Sequence, residues 1–109
     1  MQAVLSHTTV AIIKPQDNLN AVNALEFERD LTTALRQEKN QILLVNLEKV
    51  ELLDSSGLMS LVSALKLAQN LGKRLGLCCV SPSIKIIFEL TQLDRVFEIF
   101  ENQKILFSA

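Results

Sequence analysis

Five consecutive residues, Asp54-Ser55-Ser56-Gly57-Leu58, combine the residue types that can present a reactive hydroxyl at the start of a helix. They follow an apolar stretch and precede an amphipathic one, so they are predicted to lie where a strand is followed by a helix. The first backbone N–H groups of a helix lack partners within it, and the helix dipole is positive at this end. Because such surroundings tolerate a phosphate well, Ser55 is a physically sensible phosphoacceptor.

The same residue types also have a purely structural explanation. Asp, Ser and Gly are preferred at any helix start, where Ser55 or Ser56 would only cap the helix. An enzymatic role is disfavoured, because the single histidine, His7, is remote in sequence and Asp54 supplies no base in the usual arrangement for a nucleophile. The local residues alone leave phosphorylation and capping open.

Neither a metal site, a disulfide nor a cofactor is predicted. Cys78 and Cys79 are adjacent within an apolar run, a spacing that fits neither a disulfide framework nor a zinc site, so they are interpreted as core thiols. His7 has no cluster of cysteine, histidine or acidic residues around it and is assigned to the solvated surface.

Length and composition predict one domain over residues 1–109. The chain is 49% hydrophobic, which is enough for one core, and it leaves no length for a second. The 11 Lys and Arg are balanced by 12 Asp and Glu, so the basic stripe of a nucleic-acid-binding surface is absent. No signal sequence or bilayer-spanning stretch is visible, so we expect a cytoplasmic protein with neither nucleic acid nor membrane as a partner.

Hydrophobic periodicity predicts the elements before the candidate phosphoacceptor. Two short strands are predicted at Ala3 to Leu5 and at Thr9 to Lys14. A first amphipathic helix is predicted from about Asn20 to Glu38, with Asn20 slightly favoured over Asn23 as its N-cap.

The rest of the chain is predicted to alternate strands and helices. In order, the pattern predicts a strand over 42–47 buried on both faces, a helix from about Ser55 to Leu71-Gly72, a strand over 75–80, a helix beginning at Ser81-Pro82, a strand over 96–100 and a short helix or packed tail over 103–107. This order predicts an α/β sandwich with parallel central strands and right-handed crossovers. The continuous apolar strand over 42–47 is typical of a sheet with helices on both sides. Loops after the strand carboxyl ends are expected to carry the function.

Two separated segments resemble the STAS domains of bacterial anti-sigma factor antagonists. Residues 44–58, which end in Asp-Ser-Ser-Gly-Leu, match the first family motif without gaps. Residues 80–97 are similar to the second motif, which is a Ser-Pro turn, a helix and a passage into the last strand. The resemblance covers nearly the whole chain and implies a STAS fold, with a mixed β-sheet of about four to five strands, parallel central strands and about four helices.

The resemblance also implies a function. In this family the first serine after the aspartate, here Ser55, is phosphorylated by a partner that is both an anti-sigma factor and a serine kinase. The unphosphorylated antagonist binds that kinase and frees the sigma factor, and a PP2C-type phosphatase reactivates the phosphorylated form. The chain is expected to catalyse nothing, and a homodimer is left open. The residues expected to bind the partner are Asp54, Ser55, Ser56, Gly57, Leu58, Met59 and Asn20.

One departure from the family and two alternative functions remain. Many antagonists have Gly-x-Leu-Asp in a loop beside the phosphoacceptor, whereas this chain has Asp17-Asn18-Leu19-Asn20, so kinase contacts could differ. The alternatives are a STAS scaffold in a signalling assembly without phosphorylation, and an accessory protein of a transport system. Because Trp and Tyr are absent, a pocket for a small ligand or lipid is disfavoured.

Overall fold

A computed structural model describes residues 9–103, in which a single parallel sheet is packed against helices. The strands are β1 Thr9–Ile13, β2 Asn40–Asn46, β3 Arg74–Cys78 and β4 Glu98–Phe100, and the helices are α1 Ala24–Arg36, α2 Ser55–Asn70 and α3 Pro82–Leu90. A short 3-10 helix, Leu93–Arg95, precedes β4. The strands lie side by side in chain order, and every neighbouring pair is parallel.

The predicted α/β class with parallel central strands is therefore confirmed. The strand predicted at Ala3 to Leu5, the histidine at position 7 and the predicted tail beyond Gln103 lie outside the described residues. The last strand is shorter than predicted, because the segment before it is the 3-10 helix and a turn.

The first helix begins later than predicted. A turn over residues 21–23 precedes α1, and Asn23 rather than Asn20 occupies the N-cap position, although its side chain makes no capping hydrogen bond. Asn20 Oδ1 accepts from the Val22 N–H at 2.9 Å, and Asn23 Oδ1 accepts from the Asn20 N–H at 3.0 Å. The two asparagines thus stabilise the turn before the helix, because short amide side chains bond readily to nearby backbone.

The central strand β2 is buried on both faces, as predicted. Leu43 and Val45 belong to the main hydrophobic cluster, whereas Leu44 packs with Cys78 in a second cluster. Successive side chains of a strand point to opposite faces, so the two clusters lie on opposite sides of the sheet.

All three described helices contribute to the main cluster. Their buried side chains there are Phe27, Leu31 and Leu35 of α1, Leu61, Ala64 and Ala68 of α2, and Ile84 and Phe88 of α3. The described helices therefore cover one face of the sheet, and the predicted helical cover of the other face lies outside the described residues. A continuous apolar strand reports that both faces are buried, but it does not report what buries them.

Two predicted helix ends are confirmed. Gly72, just after α2, has φ +69°, the left-handed conformation in which glycine commonly ends a helix. Ser81 caps α3 by accepting from the Ile84 N–H at 3.3 Å, and Pro82 occupies the first helical position.

Between residues 9 and 103 the chain has neither a membrane-spanning helix nor a cluster of metal ligands. None of the helices in this part combines the length and apolarity needed to cross a bilayer. The same part contains no group of three His, Cys, Asp or Glu side chains arranged to hold a metal ion.

Candidate functional site

Ser55 is the first residue of α2. It follows the connector, residues 47–54, which joins β2 to α2. The residue is exposed, and its hydroxyl makes no hydrogen bond to any residue in the described part of the chain. A connection after a strand in a parallel sheet opens at the carboxyl edge of that sheet, where α/β folds usually place their functional groups. The Ser55 hydroxyl is therefore open to a reaction partner from solvent.

Asp54, rather than either serine, caps α2. Its backbone is extended, and its Oδ1 accepts from the Gly57 N–H at 3.1 Å. Ser56 contributes through its backbone, because its carbonyl accepts from Ser60 Oγ at 3.2 Å. The capping explanation for Ser55 therefore does not account for the residue, since the helix start is already stabilised without its hydroxyl.

The loop Asp17–Asn20 holds the connector in place. Leu19 forms an isolated parallel bridge with Leu53. The Leu19 N–H donates to the Leu52 carbonyl at 3.1 Å, and the Asp54 N–H donates to the Leu19 carbonyl at 3.1 Å. The loop in which this sequence departs from the family thus lies directly beside the connector that leads to Ser55, as the resemblance implied.

The side chain of Asn18 also binds the connector, through two hydrogen bonds that were not predicted from sequence. Its Oδ1 accepts from both the Glu51 N–H at 2.9 Å and the Leu52 N–H at 3.0 Å. Asparagine commonly satisfies backbone donors in loops, so its residue type was a signal, but the partners are more than thirty positions away and only the fold reveals them.

Asn18→Ala is expected to cost about 1–2 kcal/mol of unfolding free energy, because two N–H groups lose their acceptor. Amide hydrogen exchange at Glu51 and Leu52 is expected to accelerate, and chemical denaturation measures the stability. Gln16→Ala is the matched control, since the Gln16 amide reaches only the carbonyl of Lys14. If hydrogen exchange at both amides is unchanged in Asn18→Ala, the two Asn18 hydrogen bonds do not hold the connector in place.

Gly57 permits the loop to approach the first turn of α2. A Cβ at this position would lie 2.7 Å from Leu19 Cβ, 2.8 Å from Leu53 Cδ1 and 3.0 Å from the Leu19 carbonyl oxygen. Real Cβ atoms do not come this close to other atoms, so only glycine fits without a shift of the loop. Gly57 is buried, and it supports the surface around Ser55 from beneath rather than being part of it.

Exposed apolar side chains flank Ser55 along the chain. Met59 is one helical turn after Ser55 and 56% exposed, and Leu52 is three residues before Ser55 and 65% exposed. Val22 follows the adjacent loop and is 95% exposed. Leu58, in contrast, is half-buried against the main cluster. Leu52 and Val22 were missed from sequence, although apolar residues within polar loops were a usable signal.

An ion pair lies at the ends of the two neighbouring strands β1 and β2. Lys14 Nζ and Glu48 Oε1 are 2.9 Å apart. Their hydrogen bond, with the attraction between the charges, raises the pKa of Lys14 and lowers that of Glu48. Both groups are exposed, so the pair neutralises local charge but adds little stability.

Comparisons with known proteins agree with this site and fold. The family model of the STAS domain matches residues 2–104. The anti-sigma-B factor antagonist of Staphylococcus aureus is 31% identical over 93 residues, which is 85% of each chain. The chain belongs to the STAS domain family, and the resemblance to anti-sigma factor antagonists that was stated from sequence is confirmed.

Solved structures support the same conclusion. A crystal structure from Thermotoga maritima, described as that of a candidate anti-sigma factor antagonist, has a TM-score of 0.84 and 26% identity and covers 91% of this chain and 85% of its own. The anti-sigma factor antagonist SpoIIAA of Bacillus, in its unphosphorylated form, has a TM-score of 0.69 at 18% identity and covers 87% of this chain and 82% of its own. The latter likeness concerns the fold, and the predicted STAS fold is confirmed.

Proposed function

We propose that this protein is an anti-sigma factor antagonist that is switched off by phosphorylation of Ser55. The observation that carries the proposal is the exposed Ser55 hydroxyl, which is not used by the fold and lies at the start of a helix capped by Asp54. In its unphosphorylated form the protein binds a serine-kinase anti-sigma factor in the cytoplasm and releases the sigma factor. A PP2C-type phosphatase then reactivates the phosphorylated form. The protein acts as a binding module, without a cofactor and without catalysis of its own.

A phosphate on Ser55 would be compatible with the fold. It carries a charge of roughly −1.5 to −2 and sits at the positive end of the α2 dipole. The carboxylate of Asp54 opposes it, because the two groups are on adjacent residues. These two local effects partly cancel, so the domain itself is expected to change little.

The consequence of the phosphate then falls on the partner interface. The partner is expected to dock over Ser55 and the exposed apolar side chains beside it, including Met59 and Leu52. Docking removes water from these side chains, and a phosphate among them would lose its hydration without gaining a matching positive group. Like charge on the partner would add to this penalty.

The partner surface combines the first turn of α2 with the adjacent loop. Its proposed members are the sequence-predicted residues Asp54, Ser55, Ser56, Leu58, Met59 and Asn20. Asn20 uses its Oδ1 for the Val22 N–H, whereas its amide nitrogen donates to none of the residues 9–103. That nitrogen is free to donate to a partner. Gly57 contributes by keeping the loop and the helix together.

In vitro phosphorylation tests the proposal. The purified protein is incubated with ATP and each serine-kinase anti-sigma factor of its own organism, and tandem mass spectrometry locates the phosphate. We expect a single phosphate on Ser55, none on Ser55→Ala, and full modification of the matched variant Ser56→Ala. A phosphate found on Ser56, or the absence of any phosphate with every such kinase, would contradict the switch.

A scaffold function without phosphorylation is favoured by one observation. Leu90 and Ile86 on α3 and Val96 after the 3-10 helix are exposed apolar side chains on a part of the fold remote in sequence from Ser55. Exposed apolar residues are common sites of protein contact. In a scaffold Ser55 would remain unmodified in the cell, and partner binding would be insensitive to a negative charge at this position.

A further inference from the structure

Cys78 and Cys79 form a close pair of thiols at the end of β3. Their Sγ atoms are 3.5 Å apart. Consecutive side chains of a regular strand point to opposite faces of the sheet, which would separate the two sulfur atoms. Cys79 breaks this alternation because its φ is +60°, a conformation that residues other than glycine seldom adopt. The backbone therefore brings the two sulfur atoms together.

The two thiols differ in their access to solvent. Cys78 is completely buried, whereas Cys79 is partly exposed. Burial raises the pKa of the Cys78 thiol to about 12, and the neighbouring Cys79 acts in the same direction, so this thiol stays protonated at neutral pH. A dissolved oxidant would therefore meet Cys79 first. The chain has no other cysteine, so Cys78 is the only intramolecular partner for an oxidised Cys79.

We propose that Cys78 and Cys79 are a redox modification site, at which hydrogen peroxide forms a reversible disulfide between the adjacent residues. The Cys79 sulfur attacks one peroxide oxygen, the O–O bond breaks, and a sulfenic acid and one water result. The Cys78 sulfur then attacks the Cys79 sulfur, the S–O bond breaks, and the hydroxyl leaves with the Cys78 proton as a second water. The two thiols together supply the two electrons that reduce the peroxide.

The disulfide formed here is expected to be easily reduced. The Cα atoms of adjacent residues are about 3.8 Å apart across a trans peptide bond. Disulfide-linked residues usually have Cα atoms about 4.4–6.8 Å apart, so a bond between neighbours is strained. Strained disulfides have more oxidising potentials than structural ones and are typical of regulation. The site therefore suits a transient signal rather than a permanent crosslink.

The modification would affect the segment that leads to the helix α2. The Cys78 carbonyl accepts from the Leu47 N–H at 3.0 Å, and the Leu47 carbonyl accepts from the Val50 N–H at 3.0 Å. A disulfide would twist the peptide between Cys78 and Cys79 and weaken the first of these bonds. The connector after β2 would then be less firmly held, whether or not Ser55 is phosphorylated.

Mild treatment of the full chain with hydrogen peroxide, followed by intact-mass and tandem mass spectrometry, tests the proposal. We expect the monomer to lose the mass of two hydrogen atoms, to lose both free thiols and to recover both after dithiothreitol. Cys79→Ser is expected to keep its remaining thiol under the same treatment. Cys78→Ala is expected to gain oxygen at Cys79 instead of losing hydrogen, and circular dichroism verifies that each variant is folded.

A trivalent arsenical, phenylarsine oxide, is the second probe, because it is held tightly only by two neighbouring thiols. Its retention by the reduced wild-type protein, and by neither single variant, would support the pair as one site. Accumulation of sulfinic or sulfonic acid on Cys79 while Cys78 stays a free thiol would overturn the proposal. A covalent dimer through Cys79, or failure to retain the arsenical, would do the same.

Discussion

Phosphorylation of Ser55 is expected to weaken binding to the serine-kinase anti-sigma factor by more than a hundredfold, which corresponds to about 3 kcal/mol. The charge would enter a surface that includes the exposed side chains of Met59 and Leu52, and docking would remove the water that stabilises it. Ser55→Asp, with a smaller charge, is expected to act in the same direction but more weakly. Ser55→Ala is expected to bind as tightly as the unmodified protein and to remain active permanently. Isothermal titration calorimetry measures all four affinities.

Ser83→Asp is the matched control for the effect of charge alone. Ser83 is exposed in the first turn of α3, so the new carboxylate has a similar position relative to a helix dipole. α3 carries none of the residues proposed to bind the partner, and this variant should bind like wild type. Equal losses for Ser55→Asp and Ser83→Asp would indicate a nonspecific effect of charge. Equal affinities for Ser55→Asp, Ser55→Ala and wild type would refute the switch.

The position of Ser55 at a helix start could be predicted from sequence because the signals are local. An apolar strand, an aspartate and a glycine define the boundary within a few residues, and α2 begins at Ser55 as expected. The sequence does not identify the residue that caps the helix, because the side-chain oxygens of Asp54, Ser55 and Ser56 can all accept a capping hydrogen bond. Only the backbone geometry shows that Asp54 accepts the hydrogen bond.

The hydrogen bonds between the loop and the connector could not be predicted from residue patterns, because they join residues that are far apart in the chain. Leu19 pairs with Leu53, and Asn18 bonds to two backbone N–H groups near it. Hydrophobic periodicity reports which face of an element is buried, but not which loop packs against which. The family resemblance supplied this proximity in general terms, and the hydrogen bonds that create it are properties of this sequence.

The start of α1 shows how local alternatives limit prediction. Asn20 and Asn23 are both good capping residues, and the structure uses both, in a turn that precedes the helix. Asn23 Nδ2 also donates to the Asn18 carbonyl at 2.8 Å, which ties this turn to the loop beside Ser55. The tertiary position of the loop, rather than capping preference alone, therefore decides where the helix begins.

Gly57→Ala is expected to destabilise the fold by about 1–3 kcal/mol, because the added methyl group overlaps Leu19 and Leu53. Alanine is the better helix former by up to about 1 kcal/mol, so any net loss of stability reports the clash. The loop must move to relieve the overlap, and we expect partner binding to weaken as well. Urea denaturation and calorimetry with the kinase partner measure the two effects.

Gly72→Ala separates loss of stability from loss of the binding surface. No atom lies within 4 Å of a Cβ at Gly72, but the positive φ of this residue disfavours alanine by about 1–2 kcal/mol. Both variants should therefore lose stability. Only Gly57→Ala should also lose affinity for the partner, because only this substitution displaces the loop. If Gly57→Ala binds like Gly72→Ala, the packing of the loop against α2 does not shape the partner surface, and Gly57 serves the fold alone.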